Sequence, residues 1–205
     1  MLTRRHLIMG AALLAFSSWA LPPAFAQSAD SGASAFIQKL GNEAINAFAN
    51  KSQPRPQAMA KFKELLNDGF DVPYIGRWVL GRYWNQATPQ QQQEYLRLFE
   101  QLIVKTYAER FLEYSGETFK ITGARPEGDT DTMVTTQVIR PNGPPVAVDW
   151  RVRKRDGSYK IIDVVVEGVS MGVTQRQEFA SVIQQNGGRI DGLIQALRQK
   201  TSQAG

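Results

Sequence analysis

An α+β fold follows from two changes of periodicity along the chain. Apolar residues recur at helical spacing from Phe36 to Tyr114, alternate with polar ones from Glu117 to Glu167, and return to helical spacing after Gly172. The expected plan is four N-terminal helices, a curved four-stranded antiparallel sheet and two closing C-terminal helices. No internal repeat or linker divides it. Helices packed on the concave face of such a sheet either fill it with side chains or enclose an elongated apolar cavity.

The first helix carries Phe36, Ile37, Leu40, Ala44, Ile45 and Phe48 and ends near Ala49, with Gln27 to Ala33 before it as a polar tail. Met59, Phe62, Leu65 and Leu66 mark a second helix that stops near Gly69. Asp71 caps a short third helix with Pro73 in its first turn, closed at Gly81. After the aromatic connection Gly81-Arg82-Tyr83-Trp84 comes the strongest start signal in the chain: Thr88 as cap, Pro89 at the first helical position and Gln91 completing a capping box. That fourth helix runs to Tyr114.

Strands are expected at Thr118 to Gly123, Thr132 to Arg140, Val146 to Arg155 and Tyr159 to Glu167, joined by short turns such as Asp156-Gly157. In the third, Val146, Val148, Trp150 and Val152 form an apolar face opposite Ala147, Asp149, Arg151 and Arg153. In the fourth, unbroken alternation puts Tyr159, Ile161, Asp163 and Val165 on one face and Lys160, Ile162, Val164 and Val166 on the other, leaving one carboxylate among aliphatic neighbours. Thr174 is the expected cap of the next helix, which carries Phe179, Val182 and Ile183. Ile190, Leu193, Ile194 and Leu197 form the last.

Met1 to Ala26 has the three parts of a secretory signal: Arg4 and Arg5, an apolar run from Leu7 to Leu21, and the small-x-small site Ala24-Phe25-Ala26. Cleavage after Ala26 removes 26 of the 205 residues and leaves 179, enough for one compact domain. Thr3-Arg4-Arg5-His6-Leu7 is compatible with twin-arginine export as well as the general route. Loss of Arg4 and Arg5 leaves 22 basic against 19 acidic residues, a mild balance that does not indicate nucleic acid.

The chain has no cysteine, and its one histidine, His6, lies in the segment removed. Thiol catalysis is therefore excluded, and zinc, copper, haem and iron-sulfur ligation have no natural ligands, so no metal or cofactor is expected. Gly168-Val169-Ser170-Met171-Gly172 matches the G-x-S-x-G elbow of serine hydrolases, but the mature chain has no imidazole to take the serine proton. The simpler role is a turn in which Ser170 satisfies main-chain groups.

Ile75, Trp78, Val79, Tyr83, Tyr107, Phe111, Phe119, Val148, Trp150, Val164, Val166, Val169 and Met171 are the apolar residues expected to point inward, as core or as the lining of a cavity. Arg77 and Arg82 flank the aromatic connection, where they meet a phosphate at a cavity mouth or pair with carboxylates. Arg151, Arg153, Lys154 and Arg155 cluster at a hairpin, as a solvated face or as a contact for an anionic membrane surface.

Phe70-Asp71-Val72, Val79-Leu80-Gly81-Arg82-Tyr83-Trp84, Ala87-Thr88-Pro89, Tyr107, Tyr114-Ser115-Gly116, Asp163 and Glu167-Gly168-Val169-Ser170-Met171 resemble, in order, the MlaC/toluene-tolerance (Ttg2D-like) family of periplasmic phospholipid-binding proteins. The resemblance implies a sheet of the cystatin-like or nuclear-transport-factor-like kind spanning residues 27–205. It also implies a non-enzymatic carrier that holds acyl tails in an apolar cavity and leaves the head group near solvent. Its implied partners are an inner-membrane ABC transporter complex and an outer-membrane lipoprotein complex. The hopanoid-associated HpnM branch is similar too, so a hopanoid stands beside phospholipid as cargo.

Two other readings remain open. One is a small cone-shaped isomerase or dehydratase with Asp149, Asp163 or Glu167 as base and Tyr159 or Tyr107 as donor. The other is an interaction module whose aromatics form a surface patch.

Overall fold

The computed structural model describes residues 31–49 and 52–202. The expected signal segment and its cleavage site at Ala26 lie outside the described residues. The N-terminal helices are α1 Ser31–Phe48, α2 Arg55–Gly69, α3 Val72–Leu80 and α4 Pro89–Leu112, with a 3-10 helix, Gly81–Gln86, between the last two. Helix α1 begins within the stretch expected to be a tail, because Ala33 is buried against the sheet. The start signals work as their chemistry requires. Asp71 accepts the Tyr74 amide at 3.1 Å, and Thr88 and Gln91 exchange both bonds of the capping box.

The sheet is antiparallel throughout, in the order β1 Thr118–Glu127, β2 Asp131–Ile139, β3 Val146–Arg155, β4 Ser158–Val166 and β5 Val169–Ser170. The expected four strands thus become five. Two-residue turns join β3 to β4 at Asp156-Gly157 (φ 50° and 79°) and β4 to β5 at Glu167-Gly168 (φ 49° and 81°), the left-handed pairs that tight hairpins need. Glu167 is held in this costly conformation from both ends. Its amide donates to Ala147 O at 3.0 Å, and its carboxylate accepts the Ala147 amide at 2.5 Å.

Beyond β5 come α5 Met171–Gln185 and α6 Ile190–Ser202. The cap of α5 is Ser170, not the expected Thr174. Ser170 Oγ accepts the Val173 amide at 3.0 Å, while Thr174 donates its hydroxyl back to Ser170 O.

A register shift corrects the expected faces of β4. Arg151 pairs with Asp163 but Val152 pairs with Ile161, so a bulge intervenes and side chains beyond it change sides. Ile161 joins Val152, Trp150 and Val164 on the face that α1 covers. Asp163 goes to the other face, beside Arg151, and is not the carboxylate among aliphatic neighbours that unbroken alternation implies.

Burial organises around two apolar clusters. One fills the helical layer, with Tyr95, Phe99, Phe179, Ile183 and Leu193 at its centre; the Tyr95 hydroxyl donates to Gly76 O at 2.9 Å. The other joins α1 to the sheet through Ala33, Ile37, Val134, Val152 and Ile161. Leu40 and Phe70 touch both. The α2–α3 junction is fastened to the sheet where Asp71 donates its amide to Ile161 O at 3.0 Å. Among the described residues no helix is long and apolar enough to cross a membrane.

Candidate functional site

Strand register lays out the face under α1 in rows. Phe119 stands beside Val138 and Val146; Ile121 beside Thr136, Val148 and Val166; Ala124 beside Val134, Trp150 and Val164. Val134, Thr136 and Val148 are buried, whereas the other members of these rows are only half-buried. Apolar side chains in that condition mark a surface that its cover does not close. Thr136 is the polar exception, and it is fully satisfied: its hydroxyl donates to Val148 O at 2.9 Å and accepts from Trp150 Nε1 at 3.0 Å. That pair fixes the indole edge against the sheet.

Helix α1 reaches this face at Gly41. A Cβ on Gly41 would stand 2.2 Å from the Phe119 ring, so the ring lies directly on the helix backbone. On its flank, a groove of about 670 Å³ opens between α1 and α2. Phe36, Leu40, Ala47 and Leu65 supply its apolar lining, and Lys39, Glu43, Lys61, Glu64 and Asp68 its charged rim. Because Leu40 also touches both clusters, the groove stands over the seam between them.

The expected inward residues occupy several places. Phe119, Val148, Trp150, Val164 and Val166 come together on the α1 face. Val79 and Tyr83 are buried in the helical cluster, with Ile75 and Tyr107 at its border. Phe111 is partly exposed and packs on Phe48 and Phe62, with ring centroids 5.2 and 5.1 Å away. Met171 is half-buried at the start of α5, Val169 is exposed on β5, and Trp78 is exposed beside Gly172. Arg77 and Arg82 lie on the surface, over Trp84 and Tyr83 respectively, and neither lines the α1–α2 groove.

The groove lining escaped the sequence reading, although one signal was present. The apolar positions of α1 occupy two adjoining stripes, wider than a single partner requires.

The G-x-S-x-G corner is a helix cap. Asp163 accepts from Ser170 Oγ at 2.6 Å, from the Gly172 amide at 3.1 Å and from its own Val164 amide at 2.9 Å. A Cβ on Gly172 would lie 3.0 Å from Asp163 Oδ1 and 3.1 Å from the Trp78 ring, so this glycine admits both. Asp163 and Glu167, two carboxylates considered as bases, are therefore engaged by main-chain and hydroxyl donors. Asp149 keeps one buried oxygen without a hydrogen-bond partner.

Two of the hairpin arginines, Arg151 and Arg153, are less free than a solvated face implies, whereas Arg155 is exposed. Arg153 binds Asp131 at 2.7 and 3.0 Å and lies over the Tyr74 ring, while Arg151 Nε stands 3.2 Å from the same carboxylate. Burial raises the Asp131 pKa. Hydrogen bonds from Arg153 and Thr130 and the charges of Arg153 and Arg151 outweigh it, and hold the carboxyl below its ordinary 3.8. Among the described residues, no three His, Cys, Asp or Glu side chains are grouped to hold a metal.

Known proteins resemble this chain in sequence and fold. The intermembrane phospholipid transport system binding protein MlaC of Haemophilus influenzae is 28% identical over 137 residues, 65% of this chain. That match spans 63% of the Haemophilus protein, less than two thirds of its length. The toluene tolerance protein ttg2D of Pseudomonas putida is 26% identical over 160 residues, 76% of this chain and 74% of its own. A phospholipid-binding protein from Ralstonia solanacearum, solved in complex with a phospholipid, superimposes with a TM-score of 0.73 at 30% identity, covering 83% of this chain and 97% of that one. The family model described as MlaC protein matches residues 38–199, most of the length, and the chain belongs to the MlaC family.

Proposed function

We propose that this protein is a periplasmic phospholipid carrier, exported through Met1–Ala26, that shuttles lipid between the outer membrane and an inner-membrane ABC-type transport complex. The observation that carries the reading is the phospholipid held by the Ralstonia protein of the same fold. The half-buried apolar rows beneath α1 supply a matching surface here. Acyl tails lie between α1 and the sheet, against Phe119, Val148, Trp150, Val164 and Val166, and enter from the side of the α1–α2 groove. The groove, about 670 Å³ and open to solvent, offers an entry rather than an enclosed tail site.

Each buried methylene is worth about 0.8 kcal/mol, so tails alone retain a lipid against water without a polar recognition code. The rim lysines Lys39 and Lys61 are paired with Glu43 and Glu64, so retention rests on the tails and the head group stays toward solvent. Loading and release follow from α1 parting from α2. Such parting gives up the contacts that Leu40, Ala44, Ala47 and Phe48 make with the helical cluster, while Ala33 and Ile37 keep α1 on the sheet. No chemical step is required, and the carboxylates of the Asp163 corner serve its architecture.

Native mass spectrometry and organic extraction of the protein purified from a periplasm test this. One phospholipid per chain is expected. A folded protein that yields no phospholipid under any expression condition overturns the reading.

A further inference from the structure

Trp78 near the end of α3 meets Arg176 of α5, with Val173 also exposed on α5, Arg77 next to Trp78 on α3 and Arg82 on the 3-10 helix that follows. The Arg176 guanidinium lies 5.1 Å from the Trp78 ring centroid and packs on Gly81, where a Cβ would come within 2.9 Å of it. Arg77 lies 5.7 Å from the Trp84 ring, and Arg82 lies 5.0 Å from the Tyr83 ring while donating to its hydroxyl at 3.0 Å. Val173 stands one turn before Arg176 on α5 and is 42% exposed; Trp78 is 36% exposed.

The charges are what set this surface apart. Most other described arginines sit on carboxylates, as Arg153 does on Asp131 and Arg198 on Glu94; Arg110, over the Tyr107 ring, and Arg140, on Pro144 O, are single exceptions elsewhere. Among the described residues, Arg77, Arg82 and Arg176 have no carboxylate within ion-pair distance. Each guanidinium instead lies within cation–π distance of an aromatic ring, on an exposed residue. An exposed tryptophan beside an arginine free of carboxylates, with two more such arginines close in sequence, matches the membrane interface, where indoles sit at head-group depth and cations meet phosphates.

We propose that this Arg77/Arg82/Arg176 surface docks the protein on an anionic phospholipid bilayer, with Trp78 and Val173 entering the head-group layer. The inference rests on the carrier reading for its purpose, since a carrier must meet a bilayer to exchange cargo. It places the docking surface on α3, the 3-10 helix and α5, elements that do not line the α1–α2 groove.

Flotation of the mature chain with vesicles tests it. Binding to vesicles of phosphatidylcholine mixed with phosphatidylglycerol is expected, with little binding to phosphatidylcholine alone and loss in high salt. Each substitution Arg77→Gln, Arg82→Gln or Arg176→Gln should weaken binding about fivefold, and the triple variant about a hundredfold. Arg140→Gln, which removes another guanidinium without a carboxylate, should leave binding unchanged. Equal binding to both vesicle types, or wild-type binding by a triple variant of native circular dichroism, overturns the proposal. Extracted lipid is measured on the same samples: its absence from wild type refutes the carrier reading, while flotation separately decides the docking surface.

Discussion

A disulfide across the α1–α2 groove should lock the carrier. A Cβ on Gly69 would stand 2.6 Å from Leu40 Cδ2 and 3.4 Å from Leu40 Cγ. In Leu40→Cys/Gly69→Cys, the sulfur at the Cγ position therefore begins within a few tenths of an ångström of the roughly 3 Å that a disulfide places between a sulfur and the opposite Cβ. The native chain has no cysteine, so the bond forms without competitors. Closing a loop of about 30 residues should stabilise the oxidised form over the reduced one by about 3.5 kcal/mol. Comparing the two redox states of one variant cancels the cost of removing the Leu40 side chain.

Transfer of a fluorescent phospholipid from loaded protein to acceptor vesicles gives the functional readout. Transfer should stop on oxidation and resume on reduction. With the bond verified by mass, equal transfer in both states would refute the claim that α1 parts from α2 to pass the tails.

Three further outcomes follow. Val148→Glu and Val166→Glu should abolish lipid retention, because an unpaired carboxylate among apolar side chains costs several kcal/mol, and lipid extraction from the folded variants checks this. Ser170→Ala removes the α5 cap and should cost about 0.5–2 kcal/mol in urea unfolding while leaving lipid content unchanged; complete loss of lipid in the folded variant would return attention to a chemical role for the serine. Asp131 has a folded pKa below its ordinary 3.8, so its ion pair should stabilise fully above that value and lose its contribution as pH falls through the folded pKa. The stability gap between wild type and Asp131→Asn should accordingly be constant near neutrality and close in acid, as measured by unfolding at a series of pH values.

Features specified by neighbouring residues were legible in the sequence. Asp71, the Thr88–Gln91 box and the Asp156-Gly157 turn each act within a few residues, and each appears where its chemistry placed it. What was hidden depends on partners distant in the chain. The bulge between Arg151 and Val152 carries no mark in an apolar run, yet it turns Asp163 onto the other face. Thr174 and Ser170 are both competent caps, and Ser170 serves because Asp163, from β4, holds its hydroxyl and the Gly172 amide. The site divides in the same way. Alternation brought Val148, Trp150, Val164 and Val166 onto one face, whereas the groove required knowing that the second stripe of α1 looks toward α2.

Where the tails lie is open to direct measurement. A phospholipid carrying a photoactivatable group along its acyl chain, loaded into the protein and irradiated, reports its neighbours by peptide mass spectrometry. Labelling should fall on Leu40 and on the rows containing Phe119, Val148, Trp150, Val164 and Val166. Labelling confined to the helical cluster around Phe99 and Leu193, or to Trp78 on the surface, would contradict a tail site between α1 and the sheet.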